Sequence, residues 1–248
     1  MKSKPPVLQE TPDFSLVLGG PLYQLYLRSH IAGPSLGLVH RRILAITLIA
    51  WLPRLLLSAL GGNLLGGDVK VDFLHDFDAH IRFLIALPVL IAAELIVHQR
   101  LRLVVRQFVD GGIVVPEEMP KFHAAIDSAV RLRNSVVLEV ALIVLVYTLG
   151  HWAWQDRMAL QTATWFGGPG LTLAGYWYAY VSIPIFQFIL LRWYVRLFIW
   201  FWFLWRVSRL NLRITATHPD RAGGLGFLGD STHAFAPLLF GRARCSPA

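Results

Sequence analysis

The chain has 248 residues, of which 55% are hydrophobic and 15% charged, and a formal net charge of +8. Average soluble domains carry about 25% charged residues, so this composition excludes an ordinary soluble domain and points to a membrane protein. The basic excess flanks apolar runs instead of forming a solvated basic face, which argues against nucleic acid. The lone Cys245 excludes an intrachain disulfide and a Cys-based zinc site.

Residues 1–42 read as an N-terminal segment. Its lead-in, "MKSKPPVLQETPDF", is polar, and the first forty residues contain no apolar h-region of a cleavable signal peptide. "PLYQLYLRSHI", Pro21 to Ile31, alternates apolar and polar residues. It suits a segment lying along a membrane surface or an ordered loop.

A bilayer core of ~30 Å needs about 20 apolar helical residues. Four stretches answer to that within a membrane domain over 43–213. The first spans 43–60 and is interrupted by Pro53 and Arg54. The others span 81–97, 135–154 and 171–191. Internal prolines are tolerable in lipid, where neighbouring groups re-satisfy the freed carbonyls. Beyond 191 the pattern stays free of obvious breakers to Leu212. Its arginines Arg192, Arg196, Arg206 and Arg213 are read as lying at the phosphate headgroups, with a charged pore stripe as the alternative.

Lys and Arg set the orientation. Nineteen lie in the N-terminal segment, the 98–134 loop and the C-terminal region; two, Lys70 and Arg157, lie in the other two loops; Arg54 and Arg82 fall within spans. That asymmetry places both termini in the cytoplasm. The 98–134 loop also contains "PEEMPKFHAAIDSAVRLR", with Pro116-Glu117-Glu118 as a helix start and Ala124, Ala125, Ala129 and Val130 as its apolar stripe. The expected fold class is all-α: a polytopic membrane helix bundle with four transmembrane helices and cytoplasmic amphipathic helices.

Three groups of residues carry candidate chemistry. Arg54, Glu94 and Glu139 are intramembrane charges, costly in lipid and therefore functional candidates. A Glu94/Glu139 pair could bind a cation or share a proton with Arg54 as neutralising partner; alternatively the glutamates pair with Arg102 or Arg133. The outward loop ends in "VDFLHDFDAHIRF", where Asp72, Asp76 and His80 would share a helical face and His75 and Asp78 form a second pair. Asp72, Asp76 and His80 are the candidate metal ligands, against a plain acidic cap on the second span. The third group is the HPD/Gly loop of the 214–248 region, His218, Pro219, Asp220, Gly223, Gly224 and Gly226. Its context fits neither a co-chaperone turn nor a dinucleotide fingerprint, which needs a following helix and a distant acidic residue.

"SRLNLRITATHPDRAGGLGFLGD" and "AHIRFLIALPVLIAAE" together resemble a family of uncharacterised bacterial multi-pass inner-membrane proteins. The matching positions are His80, Arg82, Phe83, Leu84, Pro88 and Glu94, then His218, Pro219, Asp220, Gly223, Gly224, Gly226, Phe227 and Leu228. The resemblance implies architecture and a bacterial inner-membrane location but no activity. In that family the glycine motif leads into further spans, so "AFAPLLFGRARCSPA" reads as a C-terminally truncated copy.

The expected function is transport or permeation of a small ion or solute. A non-transporting scaffold or sensor that docks a cytoplasmic partner is the alternative. No nucleophile–base set favours an enzyme. No cofactor and no nucleic acid are expected; the lipid bilayer is the expected partner, with a homo-oligomer left open.

Overall fold

The computed structural model describes residues 14–17, 19–28, 38–66, 69–150, 164–168, 170–214, 219–229 and 235. It is all-helical: α1 (Pro21–Arg28), α2 (Val39–Leu60), α3 (Phe77–Asp110), α4 (Met119–Arg133), α5 (Val136–Thr148) and α6 (Leu173–Val207). Only isolated bridges, and no strands, occur among the described residues. By length and composition α2, α3 and α6 can each cross a membrane. α5 is apolar but shorter, and the remainder of the expected third span, from 151 on, lies outside the described residues.

The apolar runs set these helices, and prolines shape them. A π-helical turn, Arg82–Ala86, precedes Pro88 in α3, and another, Tyr178–Ser182, precedes Pro184 in α6 at the same offset. Proline lacks the N–H that would close an α-helical bond and its ring crowds the carbonyl four residues back; a wider turn relieves both. Two of the carbonyls that lie four residues before a proline are taken by side chains. Ile49 O, four before Pro53, accepts from Trp177 Nε1 at 3.1 Å, and Tyr180 O, four before Pro184, accepts from the Tyr147 hydroxyl at 3.2 Å.

Several expected boundaries move. The second helix runs on to Asp110, well into the expected 98–134 loop. The last remains helical to Val207, five residues short of the expected Leu212. At ~1.5 Å per residue each is about 50 Å long, so both outrun a bilayer core at the arginine-rich end. There Arg213 N donates to Ile113 O at 2.8 Å, tying the two exits together. On α4 the buried stripe is Phe122, Ala125, Ile126 and Ala129, whereas Ala124 is exposed. The large apolar Phe122 and Ile126 outweigh the alanines in choosing the inward face.

The polar lead-in also hides a core residue. Phe14 is fully buried, its ring 5.1 Å from that of Phe203 and 6.1 Å from that of Trp200. Ser15 fixes this segment: its hydroxyl meets His98 Nδ1 at 2.8 Å, and its carbonyl accepts from Arg133 Nη1.

Candidate functional site

Two clusters of buried charge lie on the inward face of α2, the face that carries Arg42, Ala50, Arg54 and Ser58. The first is an ion-pair seam at the arginine-rich end. Glu94 of α3 pairs with Arg196 of α6 at 2.6 Å and with Arg42 of α2, all three buried. Glu139 of α5 pairs with Arg192 of α6 at 3.4 Å. Two carboxylates thus meet three guanidiniums, and the seam joins four helices. Arg133, at the end of α4, stands near it; burial and then the positive Arg196 pull its guanidinium down to about 10. Trp193 supports Arg196 from one turn away, its ring centroid 5.2 Å from the guanidinium carbon and its Nε1 donating to Leu90 O at 3.1 Å.

This arrangement corrects three expectations. Arg196 does not lie at a headgroup; it is 4% exposed and engaged with Glu94. Glu94 meets Arg42 and Arg196, and Glu139 meets Arg192, instead of the two glutamates facing each other. Arg54 neutralises neither glutamate.

Arg54 forms the second cluster, towards the acidic loop. It is fully buried, and Nε, Nη1 and Nη2 have no hydrogen-bond partner among the described residues. The guanidinium carbon lies 4.1 Å from the Phe83 ring centroid, 5.1 Å from that of Tyr178 and 6.0 Å from that of Trp165. Phe83 sits in the π turn of α3 and Tyr178 in that of α6, so the widened turns before Pro88 and Pro184 supply two walls of this aromatic enclosure. Cation–π attraction in a desolvated setting is worth about 2 kcal/mol or more, against a residual burial penalty of several kcal/mol for a lone ion. Thr47 Oγ1 and Ser58 Oγ, on the same stripe of α2, are also buried and without hydrogen-bond partners among the described residues.

No family model, curated protein or solved structure matches this chain. Its chemistry is therefore read from these residues alone.

The candidate metal ligands do not come together. Among the described residues no three His, Cys, Asp or Glu side chains come together to hold a metal ion. Asp76 is the N-cap of α3, its Oδ1 accepting from Ala79 N at 3.0 Å and its Oδ2 from Trp165 Nε1 at 2.9 Å. The helix therefore begins after Asp76, and Asp72 lies outside the face it was expected to share. Asp72 instead accepts from Gly66 N at 2.8 Å and meets His75 Nδ1 at 2.5 Å. Asp78 pairs with Arg82 at 2.6 Å, not with His75. His80 accepts from Trp51 Nε1 at 3.1 Å on Nδ1 and so donates through Nε2 to Phe73 O at 3.0 Å. Each group closes a loop contact, and none is left to converge on an ion.

In the HPD/Gly loop, His218 lies outside the described residues. Asp220 is the organiser: Oδ1 accepts from Ala222 N at 2.9 Å and Gly224 N at 3.1 Å, and Oδ2 accepts from Gly226 N at 2.8 Å. Gly223 and Gly224 take φ of +68° and +93° to aim these amides inward. The glycines thus wrap the chain's own carboxylate. Phe227 then anchors the loop, with its ring 5.1 Å from that of Phe108.

The sequence singled out Arg54, Glu94 and Glu139 but not Arg42 and Arg196 as the partners of Glu94.

Proposed function

We propose that this chain is a four-span inner-membrane protein of a bacterium, with both termini cytoplasmic, that passes a small ion or solute through its helix bundle. The observation that carries the reading is the stripe of unsatisfied polar atoms on α2: Thr47 Oγ1, the Arg54 guanidinium and Ser58 Oγ. Buried polar groups are nearly always hydrogen-bonded in a finished core, and a charge within a membrane span is costly and commonly lines an ion or substrate path. The basic flanks support the orientation. Glu94, held between two arginines, would fix the arginine-rich end of that path.

Flux into proteoliposomes tests the reading. Arg54→Ala and Glu94→Ala should each lower uptake of the transported species by at least about tenfold, as expected when a buried charged contact worth a few kcal/mol is lost. Unchanged flux in both variants ends the proposal.

A second reading, a scaffold or sensor, draws on the Asp220-knit loop, which holds Pro219 and Arg221 exposed. Site-specific crosslinking from position 221 in cells should then recover one protein partner. Recovery of lipid alone would count against it.

A further inference from the structure

We propose that Arg54 and Ser58 form a binding site for a small monovalent anion, of halide or nitrate size, in the aromatic enclosure between α2, α3 and α6. The inference rests on the transport reading for its purpose and names the class of ion that reading leaves open.

The sign of the ligand follows from the donors. A guanidinium carries five N–H groups in its plane and no acceptor. Phe83 stacks on one face at 4.1 Å, which leaves the in-plane donors unmet, and none of the three nitrogens has a hydrogen-bond partner among the described residues. Ser58, one turn on along the same helix and 1% exposed, has a buried hydroxyl without a hydrogen-bond partner among the described residues. The carboxylate whose field reaches Arg54 is Asp76, and both its oxygens are already taken by Ala79 N and Trp165 Nε1. Arg82, the other nearby cation, is paired with Asp78. The site therefore holds a buried guanidinium with no hydrogen-bonded counter-ion among the described residues, and two kinds of donor.

The valence follows from the burial. Arg54 is 0% exposed, and Phe83, Trp165 and Tyr178 surround it. One guanidinium offsets one negative charge; a divalent anion such as sulfate would bring a second charge into a dry site without a counter-ion, at high cost. A weakly hydrated monovalent anion sheds its water most easily and fits these terms.

Thermal unfolding of the full chain in detergent micelles, at fixed ionic strength, tests the site. Replacing gluconate by chloride or nitrate should raise Tm in a saturable manner, as expected for a ligand that binds only the folded state. The shift should vanish in Arg54→Gln and need about tenfold more anion in Ser58→Ala, the loss of roughly one hydrogen bond to a charged group. Chloride NMR line broadening, measured on the same samples, should appear in the wild type and disappear in Arg54→Gln. A Tm shift that survives Arg54→Gln, or a wild type with neither shift nor broadening, overturns the site. Anion binding without flux would leave the site standing and end the transport reading. Flux of a cation or neutral solute without Arg54-dependent binding would do the reverse.

Discussion

Arg196 of α6 and Glu94 of α3 meet at 2.6 Å in a buried seam, and Arg42 of α2 closes on the same carboxylate from the other side. One acidic group thereby links α2, α3 and α6, the helices long and apolar enough to span a membrane among the described residues. Removing it leaves two buried guanidiniums facing each other without a counter-charge. Glu94→Ala should cost about 3–5 kcal/mol in SDS-titration unfolding, the usual effect of breaking a buried pair from one side. Replacing the triad together, with Leu at 94, 42 and 196, should cost far less. A Glu94→Ala loss below about 1 kcal/mol would show that the seam contributes little to holding the bundle.

That seam also marks the limit of what the sequence discloses. Spans are legible because an apolar run of sufficient length can only be a helix in lipid, and Ser135, marked as the start of the third span, is indeed the N-cap of α5, accepting from Leu138 N at 3.3 Å. The acidic loop is legible as polar and capped. Partner choice is not: Arg42 and Arg196 look like ordinary basic flanks, and only the packing of α2 against α3 and α6 turns them towards Glu94. Phe14 is hidden for a similar reason, since a single aromatic in a polar lead-in has no periodicity to reveal which core it enters. The candidate metal ligands Asp72, Asp76 and His80 share no helical face because the helix starts only at Phe77, five residues after Asp72.

Acid should loosen the loop that covers the Arg54 end. The Gly66 N–H, with help from His75, holds the Asp72 carboxyl below its usual range, although partial burial opposes this. A carboxyl depressed in the folded state contributes stability that is fully present above the ordinary aspartate pKa and is lost as pH falls through the lowered value. The Tm of the wild type minus that of Asp72→Asn should therefore be constant from neutral pH down to that ordinary range. Below it the difference should shrink. A difference that grows on acidification would contradict the assignment.

Gly175 should tolerate no side chain. It lies near the start of α6 beneath the 164–172 turn, and a Cβ placed on it would fall 1.8 Å from Phe166 O. Overpacking typically costs about 1–3 kcal/mol, and a backbone carbonyl cannot step aside as a flexible side chain can, so Gly175→Ala should reach the top of that range. The displaced turn carries Trp165, which donates to Asp76, and Thr172, whose hydroxyl accepts from Gly175 N at 3.0 Å. Gly170 is the control: nothing lies within 4 Å of its Cβ position and its φ is not in the left-handed region. Gly170→Ala should change the unfolding midpoint little or raise it slightly. Equal effects of the two substitutions would refute the steric account.

Asp220 should decide whether the HPD/Gly loop is ordered. Its carboxylate takes three backbone amides, those of Ala222, Gly224 and Gly226. Hydrogen bonds to a charged acceptor contribute about 1.5–3 kcal/mol each when well made, and exposure of the loop to water reduces that. Even so, Asp220→Ala leaves Gly223 and Gly224 with no reason to hold positive φ, and Arg221, at φ +53°, with a strained backbone. The loop should then open while the bundle stays folded, because the loop's hydrogen bonds to Asp220 are local to it and its anchor, Phe227, rests on Phe108 near the end of α3. Trypsin reports this directly, since Arg221 is exposed. Cleavage after Arg221 should accelerate by at least about tenfold in Asp220→Ala, the equivalent of losing ~1.4 kcal/mol of local stability. Asp220→Asn, which keeps one acceptor oxygen, should fall between. Gly224→Ala should behave like Asp220→Ala, because a Cβ at φ +93° is strained whatever space surrounds it. Cleavage at the wild-type rate in all three variants would show that the glycines serve something other than this carboxylate.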